Sequence, residues 1–257
     1  AGQVHRLTGC CPSVALHVLW DFPYGEDGRL IGSASEVGRL VAAKAAAQGV
    51  RVGSINPNLF QDQRYKLGSV TNADPDVRRL AIEHMLESVR LAGASGSTVL
   101  SLWFADGTNY PGQGHLRRRM GWMREALGEV HAAMPTGMTM LVEYKPFEPA
   151  FYHTDLADWG MAASMARSAG QRAKVLVDTG HHLPGANIEH IVAFLIEEGM
   201  LGGFHFNDRK YADDDLTMGS IDPYQLFRIF AEIVQAELEA EAELAIEYMI
   251  DQSHNLK

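Results

Sequence analysis

The chain has 257 residues, 46% of them hydrophobic and 21% charged, with a formal net charge of −10. That length allows a large core within one domain, and the acid excess argues against nucleic acid as partner, since phosphates need a basic surface. No apolar run reaches the roughly 18 residues of a membrane span, and no signal peptide is recognisable, so no membrane partner is expected. The only cysteines, Cys10 and Cys11, are adjacent. They cannot form an ordinary disulfide framework, which points to a reducing, cytoplasmic setting.

Taken in chain order, residues Ala1–Pro12 read as a loop. Short apolar or β-branched runs then alternate with helical patterns. The strands expected are Val14–Trp20, Val50–Ile55, Thr98–Trp103, Thr139–Tyr144, Lys174–Asp178, Gly203–Phe206 and Leu244–Met249. The helices between them are expected at Ser35–Gln48, Asp76–Ala92, Leu116–Ala133, Leu156–Ser168, Ile188–Glu197 and Tyr224–Glu241. Ser35 before Glu36, Asp74-Pro75 and Asp222-Pro223 are helix starts, the prolines falling in the first turn where the missing N–H costs nothing. Buried strands alternating with helices call for a parallel sheet covered by helices. Seven strands could form an open sheet, or one strand could be miscounted. The reading favoured is an α/β (β/α)8 TIM barrel that lacks its first strand and last helix. On that reading residues 1–257 are a single catalytic domain, an internal portion of a longer chain.

Chemistry-bearing side chains cluster where the apolar runs end, which in such a barrel is one mouth. In Val142-Glu143-Tyr144-Lys145-Pro146, Glu143 and Lys145 share a side because strand side chains alternate. A carboxylate could hold a metal there while the ammonium faces a developing oxyanion. A local salt bridge explains the pair equally well. In Val177-Asp178-Thr179-Gly180-His181-His182, the Asp and the His three residues on can serve adjacent cations, whereas an Asp that merely caps a turn would need no histidine. His182 is read as a supporting or exposed residue. A strand histidine such as His205, between Phe204 and Phe206, is more often a satisfied core residue than a ligand. It gains weight from Asp213, Asp214 and Asp215 in the next loop, where carboxylates at i and i+2 can chelate one cation. Asp214 should point to solvent. The last strand brings Glu247 and, just beyond it, Asp251. The donors are all oxygen or nitrogen, which selects Mn²⁺, Mg²⁺ or Co²⁺ over a structural zinc.

At these residues the chain resembles the xylose isomerase-like barrels, and among them the L-rhamnose isomerases of the broad-specificity bacterial type. The resemblance is carried by Glu143-Tyr144-Lys145-Pro146, Asp178-Thr179-Gly180-His181-His182, His205-Phe206-Asn207-Asp208 with Asp213 and Asp215, and Ile250-Asp251-Gln252-Ser253-His254-Asn255. A xylose isomerase proper would be expected to have Glu at 178 and Asp at 205, and the imidazole of His205 moves the likeness toward the rhamnose group. The resemblance implies two divalent cations, with Mn²⁺ favoured and Co²⁺ or Mg²⁺ as alternatives. Glu143, Asp178, His205 and Asp251 would hold one; Asp178, His181, Asp213 and Asp215 the other. It further implies that Lys145 contacts the oxygen on C1, that His17 serves ring opening, and that His17, Trp20, Trp103, Lys145 and His181 bind sugar. For both tryptophans ordinary packing is nearly as good an explanation. Asp21 belongs to the same sugar-site segment; Phe22, Asn56, Asp106 and Asn109 also fall at strand exits, without an assigned role.

The activity so implied is isomerisation of L-rhamnose to L-rhamnulose by a metal-assisted hydride shift from C2 to C1, with Lys145, His17 and Asp251 in the chemistry, in a homotetramer. Allose- and xylose-type isomerisation are alternatives. A phosphodiesterase of the endonuclease IV kind is the rival from another class; it needs basic residues, for which Arg117-Arg118-Arg119 is the candidate. Sugar epimerases on the same barrel usually bind one metal between two Glu, which fits neither Asp213 with Asp215 nor His205.

Overall fold

In a computed structural model, residues 1–148, 152–211 and 213–252 are described. Ser253, His254 and Asn255 of the C-terminal motif lie outside them. The chain runs α1 (Gly2–Thr8), β1 (Ser13–His17), α2 (Val18–Asp21), α3 (Ala34–Ala47), β2 (Arg51–Asn56), α4 (Pro75–Ser95) and β3 (Val99–Leu102). It continues α5 (Leu116–Ala133), β4 (Thr139–Glu143), β5 (Phe147–Glu148), β6 (Tyr152–His153), α6 (Trp159–Ala169) and β7 (Ala173–Asp178). The last elements are α7 (Ile188–Glu197), β8 (Leu201–Phe206), α8 (Pro223–Ala240) and β9 (Glu247–Ile250).

Seven strands form one sheet in the order β1-β2-β3-β4-β7-β8-β9, and every pairing in it is parallel. Sequential parallel strands with a helix between most of them give the TIM-barrel architecture expected, with seven strands in the parallel sheet among the described residues. The central strands β3 and β8 are buried along their whole length, as strands covered on both faces must be. Side chains such as Leu100, Leu102, Met140 and Phe204 are fully enclosed, each burial stabilising the fold by roughly 1.5–3 kcal/mol. At Gly202 an added Cβ would collide with Lys174 of the adjacent β7 and with Leu141 of β4 beyond it, so glycine there is what lets the sheet close up.

Several local readings need correction. Residues 2–8 are helical rather than loop. The first strand ends at His17, because Asp21 accepts a hydrogen bond from the His17 backbone N–H at 2.7 Å and the chain turns into α2. The cap of α3 is Ser33, not Ser35: Ser33 and Glu36 form a reciprocal capping box. Asp74 and Asp222 do cap α4 and α8, each with proline in the first turn. The β5–β6 hairpin was not anticipated, its two-residue strands being too short to leave a pattern.

Candidate active site

Parallel strands put their C-terminal ends on one face, and the register decides which side chains meet there. Asp178 at the end of β7 lies directly beside His205 of β8, while Glu143 ends β4 and Asp251 follows β9. These four, with Lys145, His181, Asp213, Asp215, His17 and Trp103, line one cavity of ≈ 300 Å³. Trp20 does not line it. That indole is 62% exposed and lies 4.5 Å from the His17 ring.

The polar atoms interlock. Glu143 Oε1 is 3.2 Å from His181 Nδ1, and its Oε2 is 3.4 Å from His205 Nδ1. His205 Nδ1 is also 3.4 Å from Asp251 Oδ2 and 3.9 Å from Asp178 Oδ2. His181 Nε2 is 3.3 Å from Asp213 Oδ1 and 3.9 Å from Asp178 Oδ2. Lys145 Nζ pairs with Asp213 Oδ2 at 2.5 Å and sits 5.0 Å from the centre of the Trp103 ring.

Five carboxylates therefore line the cavity with three imidazoles and one ammonium, and the titration behaviour follows from that imbalance. Burial, reinforced by Glu143 and Asp213, pushes Asp178 up to about 6. Burial and the charges of Asp213, Asp178 and Asp251 push Asp215 up to about 7. For Glu143, burial is outweighed by His205 and His181, which hold it at about 2. Burial opposes a charged His205, but Glu143 and its neighbours raise it to about 9. Burial lowers His17, which carries a buried Nδ1 with no hydrogen-bond partner.

Such a cage fits divalent cations. Candidate ligand atoms of Glu143, Asp178 and His181 lie within 4.8 Å of one another, as do those of Asp178, His205 and Asp251. Donors about 2.1 Å from an octahedral ion are about 3 Å apart when adjacent, close to the spacings above. His205 Nδ1 and Asp213 Oδ1 are moreover buried without a well-formed hydrogen bond, a costly condition that a cation would relieve.

Some participants were given no role from the sequence. Asn207 Nδ2 donates to both Asp178 oxygens, at 3.0 and 3.2 Å, and the Gly180 N–H donates to Asp178 Oδ1 at 2.7 Å. Asn207 is two residues beyond His205, so strand alternation could have found it. Ser101, two before Trp103, and Phe60 also line the cavity, as does Asn56. Asp214 does not line the cavity; half-buried, it accepts hydrogen bonds from the Lys210 and Tyr211 N–H groups, each at 2.8 Å, within the loop that carries its neighbours. His182 is buried, and Glu247 is exposed. Phe22 belongs to the core, Asp106 is tied to Ser69 and Thr71, and Asn109 accepts from the His153 N–H.

A larger groove of ≈ 1370 Å³ is lined by Tyr110 and Arg117-Arg118-Arg119, but no acid or any of the cage residues lines it. Arg119 is spent on a buried pair with Asp155 at 2.8 Å. The arginine run therefore supplies no phosphate site at the cage. Among the described residues no helix is long and apolar enough to cross a membrane.

Comparison with known proteins places this geometry in context. The chain is 43% identical to a probable sugar isomerase of Rhizobium meliloti and 42% identical to one of Mesorhizobium japonicum, each over 98% of its own length. It spans 57% of the length of each of these relatives. The xylose isomerase of Thermus thermophilus is 29% identical over 67% of this chain and 46% of that protein. Among solved structures, a D-psicose 3-epimerase superposes with a TM-score of 0.65 at 12% identity, over 99% of this chain and 78% of that one. A likeness at that identity speaks to the fold alone. The model of the family described as xylose isomerase-like TIM barrel matches residues 19–245, so the chain belongs to the xylose isomerase-like TIM-barrel family.

Proposed function

We propose that this protein is a metal-dependent aldose–ketose isomerase acting on a small free sugar, with L-rhamnose to L-rhamnulose as the reaction. The observation that carries the reading is the double cage, in which Asp178 belongs to both groups of ligand atoms. The imidazole of His205 at its centre favours a rhamnose-type enzyme over a xylose-type one. The naming of the Rhizobium and Mesorhizobium relatives as probable sugar isomerases supports the reaction class.

Glu143, Asp178, His205 and Asp251 would hold one cation, and His181, Asp178, Asp213 and Asp215 the other, Mn²⁺ being favoured and Co²⁺ or Mg²⁺ the alternatives. When bound, the cations supply Lewis acidity at the two sugar oxygens flanking the transferred hydrogen. Lys145 donates toward the oxygen on C1, where negative charge grows, and its contacts with Asp213 and Trp103 hold the ammonium in place. The half-buried, neutral His17 can take or give the proton of the ring oxygen. Trp103 and Phe60, 4.6 Å apart in an edge-on pair, form an apolar wall that excludes water. All five cavity carboxylates are placed in the cages, which leaves none of them over C1–C2 as a base for an enediol route. On this reading the C2 hydrogen moves to C1 with its electron pair, while the hydroxyl proton on O2 is passed to the oxygen on C1. A core cluster that runs from Leu16 to Ile233 supports reading 1–257 as one catalytic domain. A cytoplasmic homotetramer, with the chain part of a longer protein, completes the reading.

The test is ketose formation from a panel of aldoses, after chelation and again with Mn²⁺, Co²⁺ or Mg²⁺ restored. The expected result is loss on chelation, recovery with metal and highest kcat/KM on L-rhamnose. No conversion of any aldose, with a supplied ketose turned into its C3 epimer instead, would replace the isomerase by an epimerase. Exchange of the C2 hydrogen with solvent during turnover would remove the hydride route.

A further inference from the structure

Tyr144 stands between Glu143 and Lys145, so alternation turns its side chain away from the cavity that both neighbours line. It is 1% exposed. Two consecutive histidines from the turn after β7 hold its two ends. His181 Nδ1 lies 3.1 Å from the Tyr144 carbonyl oxygen, and His182 Nε2 lies 2.6 Å from the phenol oxygen. The Tyr144 and His182 rings meet edge to face at 86°.

Hydrogen-bond logic assigns the protons. A carbonyl only accepts, so His181 keeps a proton on Nδ1, and Nε2, which faces Asp178 and Asp213, is the nitrogen left to bind a cation in place of its own proton. The phenol O–H, 2.6 Å from His182 Nε2, is placed to donate to that nitrogen. We infer that Tyr144 and His182 are positioning residues: the pair clamps the end of β4 to the turn after β7 and so presents His181 Nε2 and Asp178 to one cation. The inference rests on the metal-dependent reading above. The bond between neighbouring strand ends makes the spacing of Glu143 from Asp178 insensitive to the mutual repulsion of their carboxylates. It also explains why a second histidine, buried and outside the cavity, follows the one that faces it.

Calorimetric titration of the chelated protein with Mn²⁺ alone tests this, beside circular dichroism, melting curves and kinetics on the best aldose. Tyr144→Phe removes one hydroxyl and no volume. It should weaken Mn²⁺ binding by about tenfold or more, the usual cost of losing a group that orients a ligand, with an unchanged dichroism spectrum. His182→Leu should weaken it similarly, the double variant no further than either single one, and His182→Gln, which keeps an acceptor, should recover most of the loss. Catalysis should fall at subsaturating Mn²⁺ and return at saturating Mn²⁺. Wild-type-like affinity in Tyr144→Phe, within twofold, would overturn the positioning role. Failure of the wild-type chain to bind Mn²⁺ would instead overturn the metal-dependent reading itself, so the two failures are distinct.

Discussion

Asp215 combines a left-handed backbone, φ 46°, with a carboxyl pushed up to about 7 by burial and its acidic neighbours. Asp and Asn tolerate that conformation better than most residues, so Asp215→Asn should keep the loop and remove only the charge. Activity with saturating Mn²⁺ should fall more than about tenfold. The sign for stability is opposite without metal. Raised from its unfolded value of about 3.9, the ionised carboxylate costs stability as pH rises through that window, because the folded state holds the proton longer. Metal-free Asp215→Asn should therefore melt above the wild-type protein at pH 8, and a lower melting temperature there would refute the repulsion argument. Gly180 makes a second case. A Cβ at that position would strike the Asn207 amide and approach Asp178 Oδ1 at 3.3 Å. Gly180→Ala should pry Asn207 from Asp178 and reduce Mn²⁺ affinity, measured by titration, more than it lowers the melting temperature.

At the scale of elements, the loops around the mouth are tied by a buried polar network that no single motif announces. Arg119 of α5 holds Asp155, the carboxylate that follows β6, through Nε at 3.1 Å and Nη2 at 2.8 Å. The Thr71 hydroxyl lies 2.7 Å from both Asp155 and Asp106, and Asp106 also receives the Ser69 and Thr71 N–H groups at 2.8 Å. The loops after β2, β3 and β4 are thereby locked together. Removing one partner leaves a buried charge uncompensated, which costs about 3–5 kcal/mol. Arg119→Met should show that loss in urea unfolding; a change below about 1 kcal/mol would mean water reaches Asp155. In the sequence, Arg119 was indistinguishable from Arg117 and Arg118, since only packing against Asp155 separates it from them.

For the whole molecule, two linked equilibria set stability. His84 accepts the Asn58 N–H at 3.0 Å, and Asn58 Oδ1 in turn holds the Leu19 N–H at 2.8 Å, next to the turn carrying His17 and Trp20. Burial lowers His84 to about 4. An imidazole more acidic folded than unfolded makes the unfolded state bind more protons between about 6.5 and 4. The contribution of this imidazole is thus intact above pH 6.5, declines as pH falls through that window, and amounts to a loss of about 2–3 kcal/mol by pH 4. His84→Gln should flatten that part of the pH profile in thermal melts. Divalent cation acts in the other sense. Mn²⁺ at a hundred times its dissociation constant should stabilise the fold by about 2.7 kcal/mol, read as a rise in melting temperature that excess chelator reverses.

What could be read along the chain was whatever depends on neighbours in sequence. Apolar runs alternating with helical patterns disclosed the strands and helices, and carboxylates and imidazoles at the run ends disclosed Glu143, Asp178, His181 and His205 as candidates. Local hydrogen bonding was harder, because Ser33 and Ser35 differ only in which one the backbone turns toward Glu36. Tertiary structure alone decided the rest. Register set Asp178 beside His205, loop closure turned Asp213 into the cavity and Trp20 out of it, and packing enclosed Asn207, Tyr144 and His182. Those outcomes depend on distances between strands far apart in the chain, to which no spacing of residue types corresponds.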